Sequence, residues 1–143
     1  MDVRQITPEF AVGPQIAPED IPALAEMGFK TILNNRPDQE VDGVLDSAAM
    51  QAAAERAGLT YRYLPYHPGR MTPDLVTSFE TAMAELSGPV FAYCRSGTRC
   101  SHLWAMWQAG KMPLDQIIRA SANVGYDHRD LLPLLEAHAA DRV

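Results

Sequence analysis

The stretch from Phe91 to Trp104 reads FAYCRSGTRCSHLW, and it gathers the residue types of an anion-binding thiolate site. Cys94 closes an apolar run, and Arg95, Ser96, Gly97 and Thr98 separate it from Arg99. Where a strand gives way through a short loop to a helix, backbone N–H groups turn inward and cup an anion, helped by the positive end of the helix. The same field lowers a cysteine pKa from about 8.5 toward values at which the reactive thiolate is populated at neutral pH. Gly97 lets the backbone take a positive φ and approach a ligand closely. Arg99 supplies a planar fork suited to paired contacts with an oxyanion. A lone cysteine ending a strand is usually a small buried hydrophobe. With this loop behind it, Cys94 reads instead as a nucleophile and Arg99 as its anion clamp.

The charge pattern agrees. No acidic residue lies between Glu85 and Asp115, whereas Arg95, Arg99 and Lys111 all do. In a chain of net charge -6, that cationic interval points to a small anionic substrate. The acidic whole argues against a nucleic-acid partner, which would call for a basic surface.

The elements that must position this loop follow from periodicity and caps. Residues 30–35, 60–66 and 89–94 are apolar, partly β-branched runs that read as buried strands. Between them lie helical patterns over 17–28, 46–58 and 72–88. The first opens with acidic residues; the second starts at a capping Asp46 or Ser47; the third has Thr72 as cap and Pro73 at its first position. Val76, Phe79, Met83 and Leu86 recur at helical spacing and form one core-facing stripe. Beyond residue 100 the pattern is all helical, with segments near 100–108, 114–122 and 127–140, the last disturbed by Pro133. A short strand or hairpin is expected within 3–12.

Strands alternating with helices imply a single α/β domain over 1–143, its mostly parallel central sheet flanked by helices, with a helical C-terminal part. Ligands of such sheets bind beyond the carboxyl ends of the strands. Residues 36–40, 67–70 and 94–99 should therefore converge on one edge. The composition is that of an ordinary globular protein, and no apolar run approaches the roughly 20 residues of a membrane helix. The first ten residues lack the layout of a secretory signal, so a reducing cytoplasm is the expected location.

The segment CRSGTR, taken with ILNNRPDQE and the GFKT before it, resembles the bacterial beta-lactamase-hydrolase-like family. The resemblance runs from about residue 4 to about residue 120. It implies a protein-tyrosine-phosphatase-like fold, and it leaves the chemistry between phosphatase and sulfur transferase, since the family carries both names.

Phosphatase chemistry needs a thiolate, an arginine and an acid to protonate the leaving alcohol. Here the loop is one residue tighter than in the better-known cysteine phosphatases, and the segment after the strand at 60–66 holds no aspartate before Asp74. His67 or Asp38 would have to serve as the acid. Sulfur transfer asks less: the Cys94 thiolate takes a sulfane sulfur from thiosulfate or a persulfide and hands it to a low-molecular-weight or protein thiol, with no acid required. CRSGTR also looks like the cysteine loop of rhodanese sulfurtransferases, and a narrower cup suits one sulfur atom better than a phosphoryl group. Sulfur transfer through a Cys94 persulfide therefore ranks first, phosphomonoester hydrolysis through a phosphocysteine second, and a non-catalytic anion-binding or redox-sensing module third.

Cys100 departs from the family, whose members usually carry a hydroxyl residue directly after the arginine. Ser101 is the possible substitute, although one step round the helix it points elsewhere. Cys100 reads first as a buried thiol under the loop and second as a resolving partner for Cys94. Arg36 either lines the pocket or pairs with Asp38 or Glu40. Cys94 and Cys100 do not make a zinc pattern, and His102, His128 and His138 show no ligand spacing with them, so neither metal nor cofactor is expected.

Overall fold

The computed structural model describes residues 1–142. Five strands are laid down as β1 (Arg4–Thr7), β2 (Phe10–Gly13), β3 (Thr31–Asn34), β4 (Thr60–Tyr63) and β5 (Val90–Tyr93). Their spatial order is β1-β2-β5-β3-β4, with β1 antiparallel to β2 and every other neighbour parallel. The strand that carries Cys94 at its exit thus sits in the middle of the sheet. Its residues alternate between two cores. Val90 and Ala92 join the cluster that holds Phe10, Leu33, Phe79 and Trp104, whereas Phe91 and Tyr93 join Ile21, Leu24, Ile32 and Met50 on the other face. Burial on both faces is why β3 and β5 read as continuous apolar runs. The run at 60–66, also expected to be buried, gives only the edge strand β4, which is partly exposed because no described strand pairs with its outer side.

Helices α1 (Ile21–Glu26) and α2 (Ser47–Arg56) cover one face, and α3 (Pro73–Glu85), α4 (Thr98–Gln108), α5 (Leu114–Asn123) and α6 (Leu132–Asp141) cover the other. Asp46 caps α2 through Ala49 N, and Thr72 caps α3 through Leu75 N. Two helices begin later than their periodicity suggests. Pro18–Asp20 and Arg129–Leu131 form 3-10 turns, and the α-helix starts only at Ile21 and Leu132, each followed at once by a proline. Proline has no N–H to bond four residues back, so it is accommodated in a first turn and not further in. In contrast, α4 begins two residues early, at Thr98, with Gly97 as its left-handed cap (φ 90°). Arg99 is therefore a first-turn helix residue. No helix among the described residues is long and apolar enough to cross a membrane.

Candidate active site

Cys94 continues the even-numbered face of β5 and is fully buried. Its Sγ accepts the Gly97 N–H at 3.1 Å. The Cys100 thiol, six residues on in the first turn of α4, does most to lower its pKa through a hydrogen bond that favours the charged form; burial opposes it, and the N–H groups of Cys100, Ser96 and Gly97 add to the lowering. The balance brings the Cys94 thiol down to about 5. Cys100 is displaced the other way, well above the ordinary thiol value, by complete burial and by the Cys94 charge. One proton and one negative charge are thus divided unequally between two free thiols: Cys94 holds the charge and Cys100 the proton. Ser101 is turned away, donating to Thr98 O at 2.8 Å and meeting His128 Nε2 at 2.7 Å.

Arg99 is already paired. Its Nη2 donates to Glu40 Oε1 at 2.8 Å, and its Nη1 donates to Glu40 Oε2 at 2.9 Å and to the Tyr66 carbonyl at 2.8 Å. Arg36 grips the same residue, with Nε 3.3 Å from Glu40 Oε1 and Nη2 3.2 Å from its carbonyl. Both arginines hold the Glu40 carboxylate below its usual range, Arg99 more than Arg36. A cavity of about 470 Å³ opens over this group, lined by Arg36, Glu40, Pro68, Arg95, Ser96 and Arg99. The three loops beyond the strand ends therefore do meet. Arg95 and Ser96 are exposed at the rim, and the Ser96 and Thr98 hydroxyls lie 2.9 Å apart.

The two residues considered as acids do not face this cavity. Asp38 spends both carboxylate oxygens on α2, accepting from Ser47 N at 2.8 Å and Ser47 Oγ at 2.7 Å. That satisfies an otherwise unpaired donor at the start of the helix. His67 is exposed and borders a separate shallow opening with Arg70. Asp74 lies in the exposed first turn of α3.

Sequence reasoning missed Glu40 as the partner of Arg99. The one available sign was its place four residues after Arg36, in the loop that leaves a parallel strand. It also missed a buried network behind the loop. Tyr66 Oη lies 3.2 Å from His102 Nδ1, the His102 and His128 rings are 4.7 Å apart, and Tyr126 stacks on His128. Burial, and secondarily His128, push the His102 pKa down to about 4, so that ring is neutral at ordinary pH. Among the described residues no cluster of three or more His, Cys, Asp or Glu could hold a metal ion.

Residues 2–111 match the sequence model of the beta-lactamase hydrolase-like protein, phosphatase-like domain. The chain belongs to the beta-lactamase hydrolase-like family. A family member from Agrobacterium fabrum is 33% identical over 129 residues, which cover 89% of this chain and 30% of the relative. One from Xylella fastidiosa strain 9a5c is 31% identical over 141 residues, 97% of this chain and 33% of the relative. The chain thus spans about a third of the length of these relatives. Among solved structures, a Neisseria meningitidis Z2491 protein described as a candidate phosphatase superposes with a TM-score of 0.84 at 32% identity, over 96% of this chain and 99% of that one. The family fold is that of the cysteine phosphatases, an α/β sheet with a helical C-terminal part.

Proposed function

We propose that this chain is a cysteine-dependent phosphatase whose substrates carry leaving groups that depart without protonation, such as aryl phosphomonoesters or acyl and anhydride phosphates. The observation that carries it is the Cys94 sulfur, which accepts the Gly97 N–H and is drawn toward the thiolate form, at the base of a loop whose Arg95, Ser96 and Arg99 line a cavity suited to a phosphoryl oxyanion. Cys94 attacks phosphorus, the leaving group takes the electron pair of the breaking P–O bond, and a phosphocysteine forms. Water then attacks that phosphorus, and the S–P bond pair returns to Cys94 as phosphate leaves. The restriction on leaving groups follows from the lining. Glu40 is the one acidic residue there, and two arginines keep it ionised. The family model and the Neisseria structure bear phosphatase names and so favour hydrolysis over the sulfur transfer that loop length alone places first.

A series of aryl phosphates of graded leaving-group acidity tests this. Release of phosphate should need Cys94 and should fall steeply, by orders of magnitude, as the leaving phenol becomes less acidic. A flat dependence would mean that an acid acts after all, and no Cys94-dependent release from any of the series would end the proposal.

Sulfur transfer stays as the second reading because it needs no acid, and no carboxylic acid is poised in this cavity. Its signature is a gain of one sulfur atom on Cys94 when the reduced Cys100→Ser protein meets thiosulfate, reversed by cyanide or glutathione. If neither chemistry is found while anions still bind, the chain is a binding or sensing module.

A further inference from the structure

The peptide between Ser96 and Gly97 is gripped from both sides. On the inner side its N–H donates to Cys94 Sγ at 3.1 Å. On the outer side its carbonyl accepts the Tyr126 hydroxyl at 2.9 Å. A trans peptide points its C=O and N–H in opposite directions, so fixing the oxygen outward aims the hydrogen inward. Gly97, at φ 90° and ψ -12°, would otherwise let this plane rotate cheaply, because glycine crosses backbone regions closed to other residues. The contact is also close, since a Cβ on Gly97 would overlap the Tyr126 hydroxyl.

Tyr126 is itself held firmly. It is buried, its N–H donates to Ser121 O at 2.9 Å, and its ring lies parallel to that of His128. The Arg4 guanidinium covers the ring at 5.2 Å and donates to Val124 O at 3.0 Å. Apart from Arg4 in β1, these residues sit in the helical C-terminal part, beyond the residues that the family model covers.

We propose that Tyr126 is a positioning residue of the thiolate loop: by holding the Ser96 carbonyl, its hydroxyl sets the peptide plane that aims the Gly97 N–H at Cys94 Sγ. The inference rests on the thiolate reading of Cys94, and it is indifferent to whether phosphorus or sulfur is transferred. The groups facing that sulfur are Cys100 and Arg99 from α4, with Tyr66 and Tyr126 from the neighbouring segments. Tyr126→Phe removes only the hydroxyl and leaves the other three in place.

The test is the pH profile of Cys94 alkylation by iodoacetamide in the full chain, wild type against Tyr126→Phe, with Cys94→Ser as blank. The expected result is a midpoint about one pH unit higher in the variant, hence about tenfold less thiolate below both midpoints. Exchange of the Gly97 amide hydrogen, followed by NMR, should speed up in parallel. An unshifted midpoint with unchanged Gly97 exchange in a folded variant would overturn the proposal. If the wild-type midpoint itself lies near that of an ordinary thiol, the thiolate reading fails first and takes this inference with it. Should Tyr126→Phe fold poorly, the amide exchange is read at low temperature on the folded fraction. Faster exchange confined to Gly97 then supports the brace, and uniformly faster exchange overturns it.

Discussion

Glu40 and Arg99 meet as two flat forks, Oε1 against Nη2 at 2.8 Å and Oε2 against Nη1 at 2.9 Å. The two lie 59 positions apart in the chain, and the bond ties the loop after β3 to the first turn of α4. The arrangement fixes the plane of the guanidinium, so an incoming oxyanion meets a preset donor face and orders little on binding. The cost is charge: Glu40 offsets part of the positive field that Arg99 offers.

Glu40→Ala should therefore weaken both fold and site. The Arg99 side chain is only 12% exposed and would be left largely buried with Tyr66 O as its remaining partner. A loss of about 1 kcal/mol in urea unfolding is expected, at the lower end for a charge-assisted bond because the pair is partly wet. A weaker affinity for orthophosphate, read as inhibition, should accompany it.

Cys94 gives the protein a definite pH signature. Its folded pKa of about 5 lies below the unfolded value near 8.5, so the unfolded chain binds more protons between those limits. Stability from this group is complete above about pH 8.5 and is lost as pH falls through about 5. Cys100 is shifted upward and acts with the opposite sign, removing stability as pH rises past the ordinary thiol range. Thermal unfolding across pH 4 to 10 should show the rising limb in wild type and lose it in Cys94→Ser.

Cys100 offers a comparison of donors. Cys100→Ser keeps a hydrogen for the Cys94 sulfur and should leave its alkylation midpoint close to wild type. Cys100→Ala removes the donor and should raise the midpoint by about one to two pH units, since a hydrogen bond to a charge is worth about 1.5–3 kcal/mol. Equal midpoints in Ala and Ser variants would mean that the backbone N–H groups alone hold the thiolate.

Asp38→Asn separates a cap from an acid. If the carboxylate only anchors Ser47, the substitution should cost about 1 kcal/mol or less of stability. Phosphate release from an aryl ester with an acidic leaving group should stay within twofold, and so should release from a poor leaving group. A selective loss on the poor leaving group would make Asp38 the proton donor despite its two bonds to Ser47.

What could be read from the sequence, and what could not, divides along the range of the interactions. The strands β3 and β5 are signalled by apolar runs because each is buried on both faces, whereas β4, expected to be buried, lies at the sheet edge and is only partly covered; α3 is signalled by Thr72, Pro73 and the stripe through Phe79. Even the meeting of the three loops follows from parallel topology. The bonds that finish the site leave no periodic trace. Glu40 with Arg99, Tyr126 with Ser96 and His102 with His128 are pairs of distant side chains, and sequence shows the residue types without the match. Asp38 illustrates the reverse error. A carboxylate near a thiolate loop suggests acid chemistry, whereas locally it completes a helix start.

The position of β5 bears on how the molecule assembles. It is the last of the five strands in the chain, yet it lies between β2 and β3. Until it inserts, those two strands present open edges to one another, and closing the gap joins segments as remote as Gly13 and Cys94. Contacts of such sequence separation slow folding, because loop entropy is lost before they are gained. The nucleophile thus arrives with the strand that seals the sheet. A chain in which β5 is unpaired carries an ordinary thiol, so Cys94 reactivity at acidic pH reports whether β5 has docked between its neighbours.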